Sequence, residues 1–170
     1  MMKRITILLA FISLNAYGQK ANWKTYTHDN YSIQYPPEWD LEENRAGIIF
    51  ALISPIDTAN PTFNKNINFL TPDLKGQGMD LDRFNEISVT QIKNYFPNDS
   101  IITEEKGKDA TGEYRHLIYV GDENGQHLEF EQYYRVINDT AYILTLTMLK
   151  TQWGGGHQIG DQILSTFKIK

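Results

Sequence analysis

The chain has 170 residues, a formal net charge of −5 and no cysteine. Without cysteine there is no disulfide framework, no thiolate metal site and no bacterial-type lipid anchor, which needs a cysteine behind the leader. The acidic balance, with no basic run longer than two residues, excludes a surface built to grip nucleic-acid phosphates.

Met1-Met2-Lys3-Arg4 is a short basic start, and residues 5–14 are apolar apart from Thr6 and Ser13. Ala16-Tyr17-Gly18 then sets small residues at the two positions that a signal peptidase reads. Residues 1–18 are therefore expected to be a signal peptide, cleaved before Gln19, that sends the protein to the periplasm or out of the cell. The apolar stretch is about half the roughly twenty residues of a membrane span. No later segment is long and apolar enough to span a membrane, and there is no cysteine to carry a lipid, so the expected product is neither inserted nor anchored. Residues 19–170 read as one domain, large enough to build its own core. Loss of Lys3 and Arg4 takes its formal charge from −5 to −7.

Residues 23–27 and 31–35 read as two short strands parted by His28-Asp29-Asn30. Pro36-Pro37 ends the second, because proline cannot donate to a sheet ladder. Residues 48–53 are a continuous apolar run, the pattern of a buried strand. Residues 55–64 read as loop, and 65–70 alternate, with Ile67 and Phe69 opposite Asn66 and Asn68. Asp80 is a good N-cap and Asp82 suits the positive first turn of a helix. Leu81, Phe84, Ser88, Ile92 and Tyr95 make one helical stripe, which Pro97-Asn98-Asp99 ends. Residues 101–105 suggest a further strand.

The second half predicts a three-stranded antiparallel meander. Asn124-Gly125 is a strong hairpin signal, since both residues tolerate positive φ in a type I′ turn. That turn sets Tyr119 opposite Phe130 and His116 opposite Tyr133. A second turn at Asn138-Asp139 sets Tyr134 opposite Ile143 and Glu131 opposite Leu146. One face then carries Leu117, Tyr119, Phe130, Tyr134, Val136 and Ile143. The other carries Ile118, Val120, Tyr133, Tyr142, Leu144, Leu146 and Met148. A sheet apolar on both faces needs cover on both. The first helix can supply one cover, and a second helix near residues 157–165 the other. Phe167-Lys168-Ile169 alternates and can close the sheet edge.

Tyr31-Ser32-Ile33-Gln34-Tyr35-Pro36-Pro37-Glu38-Trp39 resembles the opening signature of PsbP-like domains. Phe63-Asn64-Lys65-Asn66-Ile67-Asn68 is similar to their next strand. Ile163-Leu164-Ser165-Thr166-Phe167-Lys168-Ile169 is similar to their closing helix and strand. The resemblance spans residues 23–170, with its pieces in order. It implies an α+β fold in which a mainly antiparallel, twisted sheet is flanked by helices on both faces, an α/β/α sandwich. DcrB-like envelope proteins share that fold. It also implies a binding or assembly role without a shared catalytic motif, so no functional residue is carried over.

The chemistry read from the residues agrees with a non-enzyme. Gly154-Gly155-Gly156 precedes the last helix, but a dinucleotide fingerprint needs glycine where Ile159 stands, and no Walker lysine follows. A flexible connector fits better than a phosphate loop. No Gly-x-Ser-x-Gly elbow exists, and Ser54 and Ser165 have no local base. Glu42-Glu43 and Glu104-Glu105 read as solvated charges. Trp23, Tyr26, Tyr31, Tyr35 and Trp39 read as core packing before a sugar or peptide platform. None of His28, His116, His127 and His157 forms a His-x-x-x-His or Glu-x-x-His pair. The best metal candidates are cross-strand, with His116 facing outward beside Glu129 and Glu131, a set that also reads as an ordinary charge pair. The expectation is therefore an exported module without catalytic residues or a cofactor, which binds or helps assemble another protein. The alternative is a metal-dependent hydrolase or small-ligand binder built on His116 and Glu131.

Overall fold

The computed structural model describes residues 22–45, 47–59, 61–97 and 100–170. The expected signal peptide and its cleavage site, and Asn98-Asp99 behind the first helix, lie outside the described residues.

Two antiparallel sheets carry the fold. A small sheet joins β1 (Lys24–His28), β2 (Tyr31–Tyr35) and β10 (Lys168–Ile169) in the order β1-β2-β10. A seven-stranded sheet runs β3-β4-β5-β9-β8-β7-β6. Its strands are β3 (Asp40–Arg45), β4 (Ile48–Ile53), β5 (Asn66–Leu70), β6 (Ile101–Asp109), β7 (Gly112–Glu123), β8 (Gln126–Ile137) and β9 (Thr140–Leu149). Helix α1 (Leu81–Tyr95) joins β5 to β6, and α2 (Trp153–Leu164) follows β9 after a 3₁₀ turn, Lys150–Gln152.

The two tight turns fix the register. Asn124 and Gly125 have φ of 52° and 78°, and Asn138 and Asp139 have 48° and 58°. Both turns thus take the left-handed pair that matches strand twist. Tyr119 pairs with Phe130 and His116 with Tyr133. Tyr134 pairs with Ile143 and Glu131 with Leu146. The predicted register therefore holds, and with it the two-face sorting. The meander is longer than expected, because β6 adds a fourth strand along β7.

One face packs on α1. Leu81, Leu117, Tyr119, Leu128, Phe130 and Tyr134 form its buried centre, with Phe84, Val89, Ile92 and Phe96 of the helix segment against it. The Asp80 side chain accepts from the Arg83 N–H at 2.8 Å, as its N-cap position predicts. Tyr95 departs from the predicted stripe: it is exposed, and Phe96 packs in its place.

The other face carries the larger cluster. Phe50, Leu52, Ile67, Phe69, Leu144, Leu146 and Met148 pack under Tyr26, Tyr31, Ile33, Tyr35 and Trp39, together with Ile163 and Leu164 of α2. The N-terminal aromatics are thus core, as their strand positions suggested, with Trp23 partly buried beside them. The cover here differs from a plain sandwich, because α2 shares this side with the small sheet. Residues 167–169 do not close the main sheet edge. Lys168 and Ile169 pair with Ser32 and Tyr31 of β2 instead.

The glycine run is not a connector: Gly154, Gly155 and Gly156 form the first turn of α2. Each glycine costs a helix about 0.5–1 kcal/mol relative to alanine, so this turn has little helical preference of its own. Tertiary contacts hold it instead. Gly160 shows how close they are, since a Cβ there would lie 2.4 Å from Leu146 Cδ2. Only glycine lets α2 lie this near β9.

Candidate functional site

Strand alternation sends the odd-numbered side chains of β8 towards α2. Glu131 lies diagonal to His116 on β7, whose direct partner is Tyr133. The i,i+4 spacing of His157 and Asp161 puts both on the helix face that overlies them. Four titratable side chains from three elements therefore meet.

Glu131 is at the centre, its side chain only 5% exposed. A buried carboxylate is costly unless charge and hydrogen bonds compensate. Here both oxygens accept. His116 Nε2 donates to Oε1 at 2.8 Å, and His157 Nε2 donates to Oε2 at 2.8 Å. His116 Nδ1 also lies 3.7 Å from Glu105 Oε2, and His157 Nε2 lies 2.8 Å from Asp161 Oδ1. Each imidazole rests on an aromatic shelf. Tyr133 stacks on His116 at 4.2 Å between centroids, and Trp153 stacks on His157 at 4.0 Å.

The two carboxyls of the cluster are poised apart. Burial pushes Glu131 up, but hydrogen bonds from His116, His157 and Asp161 outweigh it and hold the group at about 2. Burial and the adjacent Glu131 push Asp161 up to about 6. Burial alone would lower His116, yet its bonds to Glu131 and Glu105 raise it above the ordinary histidine value. Burial and the Glu131 charge keep the Tyr133 phenol protonated well above its usual range. At neutral pH, Glu131 is thus a fixed anion.

A cavity of about 350 Å³ opens beside the cluster. Glu131 and Asp161 line its inner end, and Tyr114, Tyr133, Leu144 and Phe167 supply its walls. Arg135 lines it too, but its guanidinium is committed to Asp109 through bonds of 3.0 and 2.8 Å and lies over the Tyr114 ring. Polar groups converging on a half-apolar cleft are what a binding site needs.

The sequence candidates divide. His116 and Glu131 meet as their register implied, but they do not face outward, because α2 buries Glu131. Glu129 leaves the set: it is buried two residues away and ion-paired with Lys150. His157 and Asp161 take its place. Sequence reasoning missed them because it looked for paired histidines, whereas the available signal was His-x-x-x-Asp on one helix. Ser165 is on the cleft rim, where its hydroxyl donates to the Gln162 carbonyl at 2.8 Å. Ser54 donates likewise to the Pro55 carbonyl. The acidic pairs are dispersed: Glu42 binds Arg45, Glu43 accepts from Tyr26, and Glu104 accepts from Asn85.

No protein-family model matches the chain, and no curated protein matches it. Solved structures do. Cyanobacterial PsbP (CyanoP) from Synechocystis superposes with a TM-score of 0.62 at 14% identity, over 87% of this chain and 92% of that one. LpqN, involved in cell envelope biogenesis of Mycobacterium tuberculosis, gives 0.64 at 15% identity, over 88% and 92%. A protein of unknown function from Pseudomonas aeruginosa gives 0.62 at 13% identity, over 87% and 97%. The chain has the PsbP-like fold, as its motifs implied.

Proposed function

We propose that this PsbP-like chain is an exported binding module that engages a partner protein of the cell envelope through the cleft between β8 and α2, without turning it over. The observation that carries the reading is the state of the cluster. Both imidazoles are spent on holding one buried carboxylate, and the cleft serine is spent on a helix-end carbonyl. A nucleophile needs a base free to take its proton. Export is supported by the leader pattern of residues 1–18. An envelope role is supported by the likeness to LpqN, a protein involved in cell envelope biogenesis.

A photo-crosslinking residue at Tyr114, in the cleft, compared with one at Arg83, on the exposed face of α1, tests this in the native host. One defined adduct at position 114 and none at 83 is the expected result. Equal labelling at both positions, or no adduct at 114, overturns the cleft as the binding surface. Hydrolysis of an ester, phosphate or glycoside substrate, lost in Glu131→Gln, would replace the reading with the metal-dependent hydrolase.

A further inference from the structure

We infer that Glu131, His157 and Asp161 form a binding site for a divalent cation of the zinc class, which clasps helix α2 to strand β8. The inference does not rest on the partner-binding reading. It begins from three ligand atoms, one imidazole nitrogen and two carboxylate oxygens, that all lie within 4.8 Å of one another. Zinc accepts this donor set at about 2.0–2.2 Å, so ligand atoms at tetrahedral angles sit about 3.3–3.5 Å apart. Two of the separations here are 2.8 Å, from His157 Nε2 to Glu131 Oε2 and to Asp161 Oδ1. An opening of about half an ångström reaches the coordination distance. Asp161, with its side chain 46% exposed, has the freedom to make it.

A second observation is independent of that spacing. Asp161 Oδ1 is shielded from solvent and receives no hydrogen bond, although His157 Nε2 is only 2.8 Å away. The His157 N–H is aimed at Glu131 instead. Buried acceptors are rarely left so, and a cation between the two carboxylates would satisfy this one. The charge points the same way, because Glu131, Asp161 and Glu105 surround only two imidazoles.

The supporting contacts are also those of a metal site. His116 donates to Oε1 of Glu131, which leaves Oε2, on the His157 side, to face the cation. Trp153 fixes the plane of His157. Glu131 and Asp161 line the cleft, so a fourth coordination position faces it. The imidazole favours zinc over calcium or magnesium, which take oxygen ligands and more of them. The cation would also lie just behind the three-glycine turn of α2, where helical preference is lowest. Occupancy should therefore order the helix, a change that is visible without any activity assay.

The test uses the chain purified without a histidine tag and stripped with a chelator. Zinc titration by calorimetry should give one cation per chain, and zinc should slow hydrogen exchange along α2. Asp161→Asn and His157→Gln should each weaken binding by at least about tenfold. His127→Gln, at an exposed site paired with Asp122, should leave it unchanged. Asp161 is half exposed, so its variant is expected to keep the fold, which circular dichroism checks. Absence of zinc binding, full affinity in either ligand variant, or tighter binding of calcium than zinc would overturn the site.

Discussion

The two helices are held to the sheet in opposite ways. Helix α1 is helical by its own sequence: it has a side-chain cap at Asp80, an acid in its first turn and no glycine. Its sheet face is apolar and aromatic, with Asn85 bonded to Tyr134 at 2.5 Å as a polar link. Helix α2 has no side-chain cap, no acid in its first turn and three glycines there. Its C-terminal half is packed by the buried Ile163 and Leu164, whereas its first turns combine the partly buried Trp153 and Ile159 with the bond from His157 to Glu131. The difference teaches that one sheet can be covered by apolar packing on one side and by packing joined to a buried charge on the other. One helix completes a core, and the other closes over a buried charge beside an open cleft.

The comparison breaks most visibly at the packed end of α2. Ile163 is fully buried, so Ile163→Ala should lower stability by about 2–5 kcal/mol in urea unfolding. A loss near zero would mean that apolar packing does not seat this half. Glu131→Gln should cost less, up to about 3 kcal/mol at neutral pH, because the histidines can shed protons instead of staying as unpaired charges. The same substitution at Glu104, an acceptor for Asn85 on the α1 side, is the control. It should cost under about 1.5 kcal/mol, and a larger loss there would erase the contrast. Gly155→Ala sharpens it from the other direction. Nothing lies within 4 Å of an added Cβ at that position, so the variant should gain about 0.5–1 kcal/mol in thermal melting.

The smallest effect concerns acid. The Arg135 guanidinium, with the backbone N–H groups of Thr111 and Gly112, holds Asp109 at about 2, below its ordinary value. A depressed carboxyl contributes stability above its unfolded pKa of about 3.9 and loses it as pH falls towards 2. Asp109 is 47% exposed, so solvent screening keeps the contribution under about 1 kcal/mol. Asp109→Asn should therefore melt below the wild type at pH 6 and alongside it near pH 2.

What the sequence could reveal follows from where the information is local. The register of β7, β8 and β9 was legible because two turn pairs with positive φ admit only one alignment, and alternation then sorts the faces. His116 and Glu131 came with that register. Strand β3, Asp40–Arg45, was not legible, since it is a charged, largely exposed edge strand without an apolar alternation. The start of α2 was concealed by glycines that read as a connector. His157 and Asp161 were concealed for a related reason: their partner is chosen by how α2 crosses β8, a tertiary fact that no spacing within the helix encodes. The covering of the second face by β1, β2 and β10 was likewise tertiary.

Native-state hydrogen exchange on Glu131→Gln tests the central claim most directly, namely that α2 alone is fastened through the buried carboxylate. Amides of α2 should lose protection in the variant, while those of α1 keep the wild-type pattern. Equal loss in both helices, or unchanged protection in α2, would contradict the account.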